Sequence, residues 1–470
     1  MSSQSEPNLS VGRNVKIGLF HLGSGMADVI STGVWNRIMI SDLGFSATPI
    51  GLLVALRYFL APLGVWAGRM SDRYAVAGYR RLFWIWLGRA MMALSILTLG
   101  LTTAHIARGN PATPAIWAAI TLSLLLFSLG NAFSGSTFLA LIYDRAGAGQ
   151  RGRAVGIVWL FLLLGFTVGG VLFGLLLPSS AGEGAVEAAR SLDFSPDTLQ
   201  NLFVIGALAM GSLWLFSLLG EERWLPPSAR PSAYEAPEAR SSLWNDLKLA
   251  WKNRRTRFFF WYLALSMMFA FSQDLILEPF AGDVFGMEAR ITNRFAAYWG
   301  SMAILGTLVF LWLSRRYRRL TNTVMSLVGV AVLIATFALF ALSSFAGIRG
   351  LVTPALILLG IGLGVWNVGT LGLMMDMSPF GRAGTFLGFW TLVVTLARGI
   401  GVSGGGILRD AAVTLTGDFS VAYGLAFVIG AAGLGAALWA LRQVRARPAE
   451  HEPAGQGEAG AEKVFAAALD

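Results

Sequence analysis

Apolar residues fall along this chain in runs of roughly 20 or more, separated by short polar turns; at 1.5 Å rise per residue such a run crosses the hydrocarbon core of a bilayer as a helix. Lipid offers no partners to backbone N–H and C=O groups, so a spanning segment must satisfy them internally, as a helix or within a closed barrel. The pattern predicts helices at 15–40, 48–70, 82–103, 115–142, 153–178, 201–220, 257–281, 293–314, 322–345, 350–375, 384–408 and 421–442. The fold class that follows is all-α integral membrane, with twelve transmembrane helices.

Twelve spans put both termini on one side, and the basic residues choose it. The loops after even-numbered spans hold Arg69, Arg73, Arg80 and Arg81, then Arg145, Arg151 and Arg153, then Arg315, Arg316, Arg318 and Arg319. Arg254, Arg255 and Arg257 precede the seventh span, and Arg442, Arg445 and Arg447 follow the twelfth. The opposite loops carry mostly single arginines, such as Arg108, Arg190, Arg349 and Arg409. Positive loops stay inside, so both termini are expected in the cytoplasm. This topological placement also accounts for the net charge of +10 without nucleic acid.

The polar stretches divide the chain into a cytoplasmic start (1–14), six spans (15–220), a linker (221–256), six more spans (257–442) and a Gly-, Ala- and Glu-rich tail (443–470) expected to be disordered. In the linker, Leu243, Trp244, Leu247 and Trp251 recur at helical spacing after a Ser cap, which predicts an amphipathic helix on the membrane surface. The polar segment Met1 to Ser10 and the long first run do not have the form of a cleavable signal peptide. The composition is 55% hydrophobic and 13% charged, with no cysteine and three histidines. That excludes a thiolate metal site or a cysteine nucleophile, and no residue set points to an enzyme.

The halves carry related chemistry at matching places, as an internal duplication predicts. The first span ends Asp42-Leu43-Gly44-Phe45 and the seventh Asp283-Val284-Phe285-Gly286. The fifth span carries Gly165, Gly169, Gly170 and Gly174, and the eleventh Gly399, Gly401, Gly404, Gly405 and Gly406, spacings that suit close helix packing. The turn Gly68-Arg69-Met70-Ser71-Asp72-Arg73, followed by Gly78-Tyr79-Arg80-Arg81, resembles the G-x-x-x-D-R-x-G-R-R signature of the major facilitator superfamily, with residues inserted before the second glycine. The resemblance implies that superfamily's fold of two six-helix halves. It makes Gly68, Asp72, Arg73, Arg80 and Arg81 a candidate cytoplasmic gate, with Asp72 as a latch closed in one access state.

A closer resemblance runs through Gly18-Leu19-Phe20-His21-Leu22-Gly23-Ser24-Gly25-Met26-Ala27-Asp28, Gly33-Val34-Trp35-Asn36-Arg37 and Arg57-Tyr58-Phe59-Leu60-Ala61-Pro62. These segments look like the PucC/LhaA family, the bacteriochlorophyll-delivery branch of the superfamily. The resemblance implies a light-harvesting assembly factor in the inner, intracytoplasmic membrane of a phototrophic bacterium. It implies bacteriochlorophyll or chlorophyll as cargo, and antenna polypeptides, pigment-synthesis enzymes and membrane lipid as partners.

Ionisable residues within spans are costly and therefore candidates for function. His21 is the only histidine at membrane depth and could ligate a pigment magnesium through a ring nitrogen; no intrinsic metal site is expected. Asp28, seven residues on, shares its face, and a pair with Arg57 or Arg89 is the economical reading. Asn36 and Arg37 lie deeper, with Arg37 placed to snorkel. His21, Asp28, Asn36, Arg37 and Arg57 form the candidate pigment site. Arg89, Gln273, Asp274, Glu278, Asn367 and Arg398 form a candidate polar cavity. Asp274 and Glu278 are one helical turn apart, so one of them should be protonated or bound to Arg398, and Pro279 should end or kink their helix. The alternative function is a proton-coupled exporter of a small amphipathic molecule, using Asp28, Asp274 and Glu278.

Overall fold

The computed structural model describes residues 9–147, 150–177, 195–224, 254–317, 319–377 and 383–445. The expected amphipathic linker helix and the tail lie outside these residues. Among the described residues, ten helices are long and apolar enough to cross a membrane. The first and seventh predicted spans are the two not among these ten, each broken by turns that are not α-helical; the second and eighth are counted despite short interruptions. Several spans start on a side-chain cap: Ser10, Thr113, Ser195 and Thr321 each accept the N–H three residues on.

The first span begins as an α-helix, Val11–Asp28, then passes through π-helical turns at Val29–Val34 and Ile38–Asp42. Hydroxyls bond back into this stretch: Ser31 donates to the Ala27 carbonyl at 2.7 Å and Thr32 to that of Asp28. Such turns loosen the ladder and rotate the side chains that follow them. The seventh span is split into Arg254–Ala270 and Leu277–Phe285. A continuous helix over 257–281 was the sequence expectation. The break falls before Pro279, whose missing N–H leaves the Leu275 carbonyl without its partner four residues on. Tight turns take over, with Asp274 N–H on Phe271 and Ile276 N–H on Gln273.

Each glycine-rich span serves two contacts. In the fifth span, Gly165 and Gly169 meet Leu22, Gly25 and Met26 of the first span, while Gly170 and Gly174 meet Asn293, Arg294 and Ala297 of the other half. In the eleventh, Gly401 and Gly405 lie on the Met268 and Ser272 carbonyls of the seventh span, while Gly399 and Gly406 meet Tyr58 and Ala47 of the first half. A β-carbon would collide at most of these positions, so the absence of one sets the helix spacing. Matching use of the two stripes supports the duplicated layout.

The halves meet on one side of the membrane plane. The basic face carries Arg69, Arg145 and Arg315, and the opposite face carries the loops near Gly44, Gly109 and Gly347. The second span joins the eleventh through its outer half, Ala47–Phe59, whereas Pro62–Arg73 packs on the fourth span of its own half. The fifth and eighth spans join through Phe166, Gly170 and Gly174 against Trp299, Ala297 and Arg294. His21, Asp28, Tyr58, Asp274 and Arg398, half-buried residues contributed by both halves, mark the cleft between them.

Candidate functional site

The first span presents His21, Asp28 and Thr32 on one line, each half-buried, while Gly23–Ala27 between them are buried against the fifth and sixth spans. Arg57 Nη1 donates to Asp28 Oδ1 at 2.7 Å, and Arg57 is 8% exposed against 35% for Asp28. The Asp28–Arg57 alternative is therefore the pair that forms. In the second half, Arg398 Nη2 donates to Asp274 Oδ2 at 3.0 Å, and Gln273 Nε2 donates to Asp274 Oδ1 at 2.7 Å. The two ion pairs meet at Tyr58, whose ring centroid lies 5.1 Å from the guanidinium carbons of both Arg57 and Arg398. Tyr58 escaped sequence reasoning because an aromatic at mid-span gives no signal until its neighbours are known. Both pairs are partly exposed, and with the ring they form one charged floor.

His21 lies towards the basic face in an aromatic wall. Its ring centroid is 5.0 Å from Phe138 and 6.2 Å from Trp159, and Trp159 is half exposed. His21 Nδ1 is buried without a hydrogen-bond partner. The Asp28 carboxylate is engaged by Arg57. Arg89 is 3% exposed and has no carboxylate within ion-pair distance among the described residues. It lies instead between ring faces, 4.1 Å from Phe20 and 4.9 Å from Trp214, with Nη1 on Met92 Sδ. Asn367 is exposed on the tenth span, whose other faces pack against Ala303, Leu333 and Ser326.

Other expected site residues fall elsewhere. Arg37 does not snorkel: it is buried, pairs with Asp42 and donates to the Met287 carbonyl of the other half at 2.9 Å. A π-helical turn after Arg37 brings Asp42 within its reach. Asn36 is fully buried at the same level with both amide atoms unbonded, as is Asn293 at the start of the eighth span. Neither lines the cleft beside His21. Glu278 is buried against Gly33 at the junction of the halves. The candidate pigment site thus separates into a cleft group, His21, Asp28 and Arg57, and a seam group, Asn36 and Arg37.

The gate motif is a cluster within the first half. Arg81 pairs with Asp72 and, at 3.0 Å, with Asp144, and donates to Ser71 Oγ. Arg80 donates to the Asp72 carbonyl, Gly68 lies by Ser136, and Arg73 is exposed. The Glu222 carboxylate caps the third span by accepting the N–H groups of Arg80, Arg81 and Leu82. A second missed cluster closes the opposite face. Arg409 pairs with Asp283 at 2.7 Å and with Asp410, and Tyr423 donates to Asp283. Asp410 in turn accepts the N–H groups of Ala47 at 3.1 Å and Thr48 at 2.7 Å across the seam. No group of three or more His, Cys, Asp or Glu side chains suited to a metal ion occurs among the described residues.

Two helical halves joined by glycine seams define a membrane protein of the major facilitator fold. Solved structures agree at the level of fold. A bacterial homologue of the human lysosomal transporter Spinster, in an inward-facing and unoccupied conformation, matches with a TM-score of 0.63 at 16% identity, covering 98% of both chains. The nucleoside transporter NupG matches with a TM-score of 0.63 at 16% identity, covering 94% of this chain and all of that one (100%). The family model described as PUCC protein matches residues 34–449, so the chain belongs to the PucC family. Protein PucC of Rhodovulum sulfidophilum is 26% identical over 413 residues, 86% of each chain. A Rhodobacter capsulatus protein named bacteriochlorophyll synthase 44.5 kDa chain is 29% identical over 426 residues, 88% of this chain and 90% of its own.

Proposed function

We propose that this protein is a light-harvesting antenna assembly factor that receives (bacterio)chlorophyll in the cleft and passes it to antenna polypeptides within the membrane. The observation that carries the reading is His21: a half-buried imidazole at membrane depth, without a hydrogen-bond partner among the described residues, set in an aromatic wall. Such an imidazole can donate a lone pair to a magnesium tetrapyrrole, and Phe138 and Trp159 offer apolar faces to its macrocycle. Asp28 and Arg57 would supply polar contacts to ring carbonyls. The basic face is cytoplasmic in this reading, both termini with it, and the protein carries out no covalent chemistry. The test is the absorption spectrum of the gently purified protein from a pigment-making host. His21→Leu should accumulate normally and lose co-purifying pigment; undiminished pigment would sink the ligand role.

A second reading, export of a small amphipathic molecule, draws support from the two Asp–Arg pairs that meet at Tyr58. Deletion of the gene separates the two. Assembly predicts fewer antenna complexes with pigment synthesis intact, and export predicts normal antenna levels.

A further inference from the structure

Carboxylates on the first, seventh and eleventh spans come with an arginine, with one exception. Asp28 has Arg57, Asp42 has Arg37, Asp274 has Arg398, and Asp283 and Asp410 share Arg409. Glu278 is 6% exposed and has no cation within ion-pair distance among the described residues. It sits in the first turn of Leu277–Phe285, where the seventh span meets the first. A β-carbon at Gly33 would stand 3.5 Å from Glu278 Oε1, so the bare glycine backbone is what covers the carboxyl group.

Charged and titratable neighbours on the surrounding elements are engaged elsewhere or out of reach. From the first span, Arg37 is held by Asp42 and the Met287 carbonyl. From the twelfth, Tyr423 is held by Asp283 and Arg409. Arg290, in the short helix Ala289–Thr292, forms no ion pair with Glu278, and the Glu288 before it is itself an acid. On its own segment, Asp274 is bound by Arg398 and Gln273. An ionised carboxylate without a partner in this setting is strongly disfavoured, whereas the neutral acid fits.

We propose that Glu278 holds a proton while the opposite face is closed and releases it to water on that side when the first and seventh spans part. Opening towards the opposite face is then linked to one proton, whatever the cargo. The closed seam binds one more proton than the open one, so low pH favours closure and rising pH favours opening. A one-proton linkage changes the open-to-closed ratio by up to about tenfold per pH unit.

The chain has no cysteine of its own, so a spin-label pair can be placed without background. Asn110→Cys and Arg349→Cys put labels on exposed loops of the two halves at the opposite face. In lipid nanodiscs, pulsed electron–electron distance measurements between about pH 5 and pH 8 should show the long-distance population growing with pH. Glu278→Gln, which mimics the neutral acid, should keep that population low at every pH. Glu278→Met provides the same test if the amide variant does not accumulate. A pH-independent distribution in the parent pair, or full pH dependence retained in either variant, overturns the proposal.

Discussion

Removing the Asp410 carboxylate should loosen the opposite face and leave each half intact. The second span starts at Ala47 after Ser46, yet the Ser46 side chain caps nothing. Its free N–H groups at Ala47 and Thr48 are met by Asp410 from the other half, and Pro49 has none to offer. A helix cap is worth about 0.5–2 kcal/mol, and hydrogen bonds to a charged group about 1.5–3 kcal/mol. Asp410 is 18% exposed and shares Oδ1 with Arg409, which lowers the figure to about 2 kcal/mol for Asp410→Ala. That corresponds to roughly a 30-fold rise in the open-to-closed ratio. Asp410→Asn keeps one acceptor and a good capping residue, so it should give about 1 kcal/mol, or roughly fivefold. Arg409 keeps Asp283 in both variants, so no buried charge is stranded. The readout is the same pair of spin labels at positions 110 and 349. An unchanged distance distribution in Asp410→Ala would show that the cap does not hold the halves together.

Two further outcomes follow from buried contacts. Arg37→Ala removes the cation from Asp42 and the donor from Met287; it should cost about 3–5 kcal/mol and sharply lower accumulation in membranes, while adding Asp42→Asn should recover part of the loss. Gly25→Val drives a side chain into the Leu162 carbonyl and Gly165, so detergent-solubilised protein should melt earlier or fail to accumulate, whereas Gly211→Ala, with nothing within 4 Å of its β-carbon, should melt within a few degrees of the parent.

Local sequence carried the spans, the duplicated glycine stripes and the Asp28 and Asp274 ion pairs, because a membrane makes both an apolar run and an unpaired charge conspicuous. It missed features that depend on what another helix brings. Arg37 reads as an interfacial arginine until the π-helical turn returns Asp42 to it. Nothing in the sequence around the second span points to its cap, and only the folded chain shows Asp410 in that role. Asp410 follows an arginine that topology alone explained, so nothing flagged it, although the matching ends at Asp42 and Asp283 marked this level of both halves. The seventh span betrayed its break through Pro279, but its position depended on tight turns around Gln273 that free Asp274 for Arg398.

Under the proposed function, the distribution of these contacts bears on how a cargo would leave. The Asp410 cap, the Arg37–Met287 bond, the Glu278–Gly33 cover and the Gly406–Ala47 contact all lie on the far side of Tyr58 from the basic face, while Gly399 rests on Tyr58 itself. Widening or narrowing the mouth beside His21 breaks none of them, whereas passage across the membrane must break most. A factor that loads pigment from the bilayer and hands it to a neighbouring polypeptide can work from one side with this seam shut. Gly51 lies against Ser403 across the seam, with only the tip of the Leu275 side chain in the way of a β-carbon, so a disulfide between Gly51→Cys and Ser403→Cys would lock it. Under the assembly reading, cells carrying the locked protein should accumulate antenna complexes at the level given by the same double variant kept reduced. Loss of antenna only on oxidation would show that the opposite face has to open, and would return the protein to the class of transporters that move cargo across.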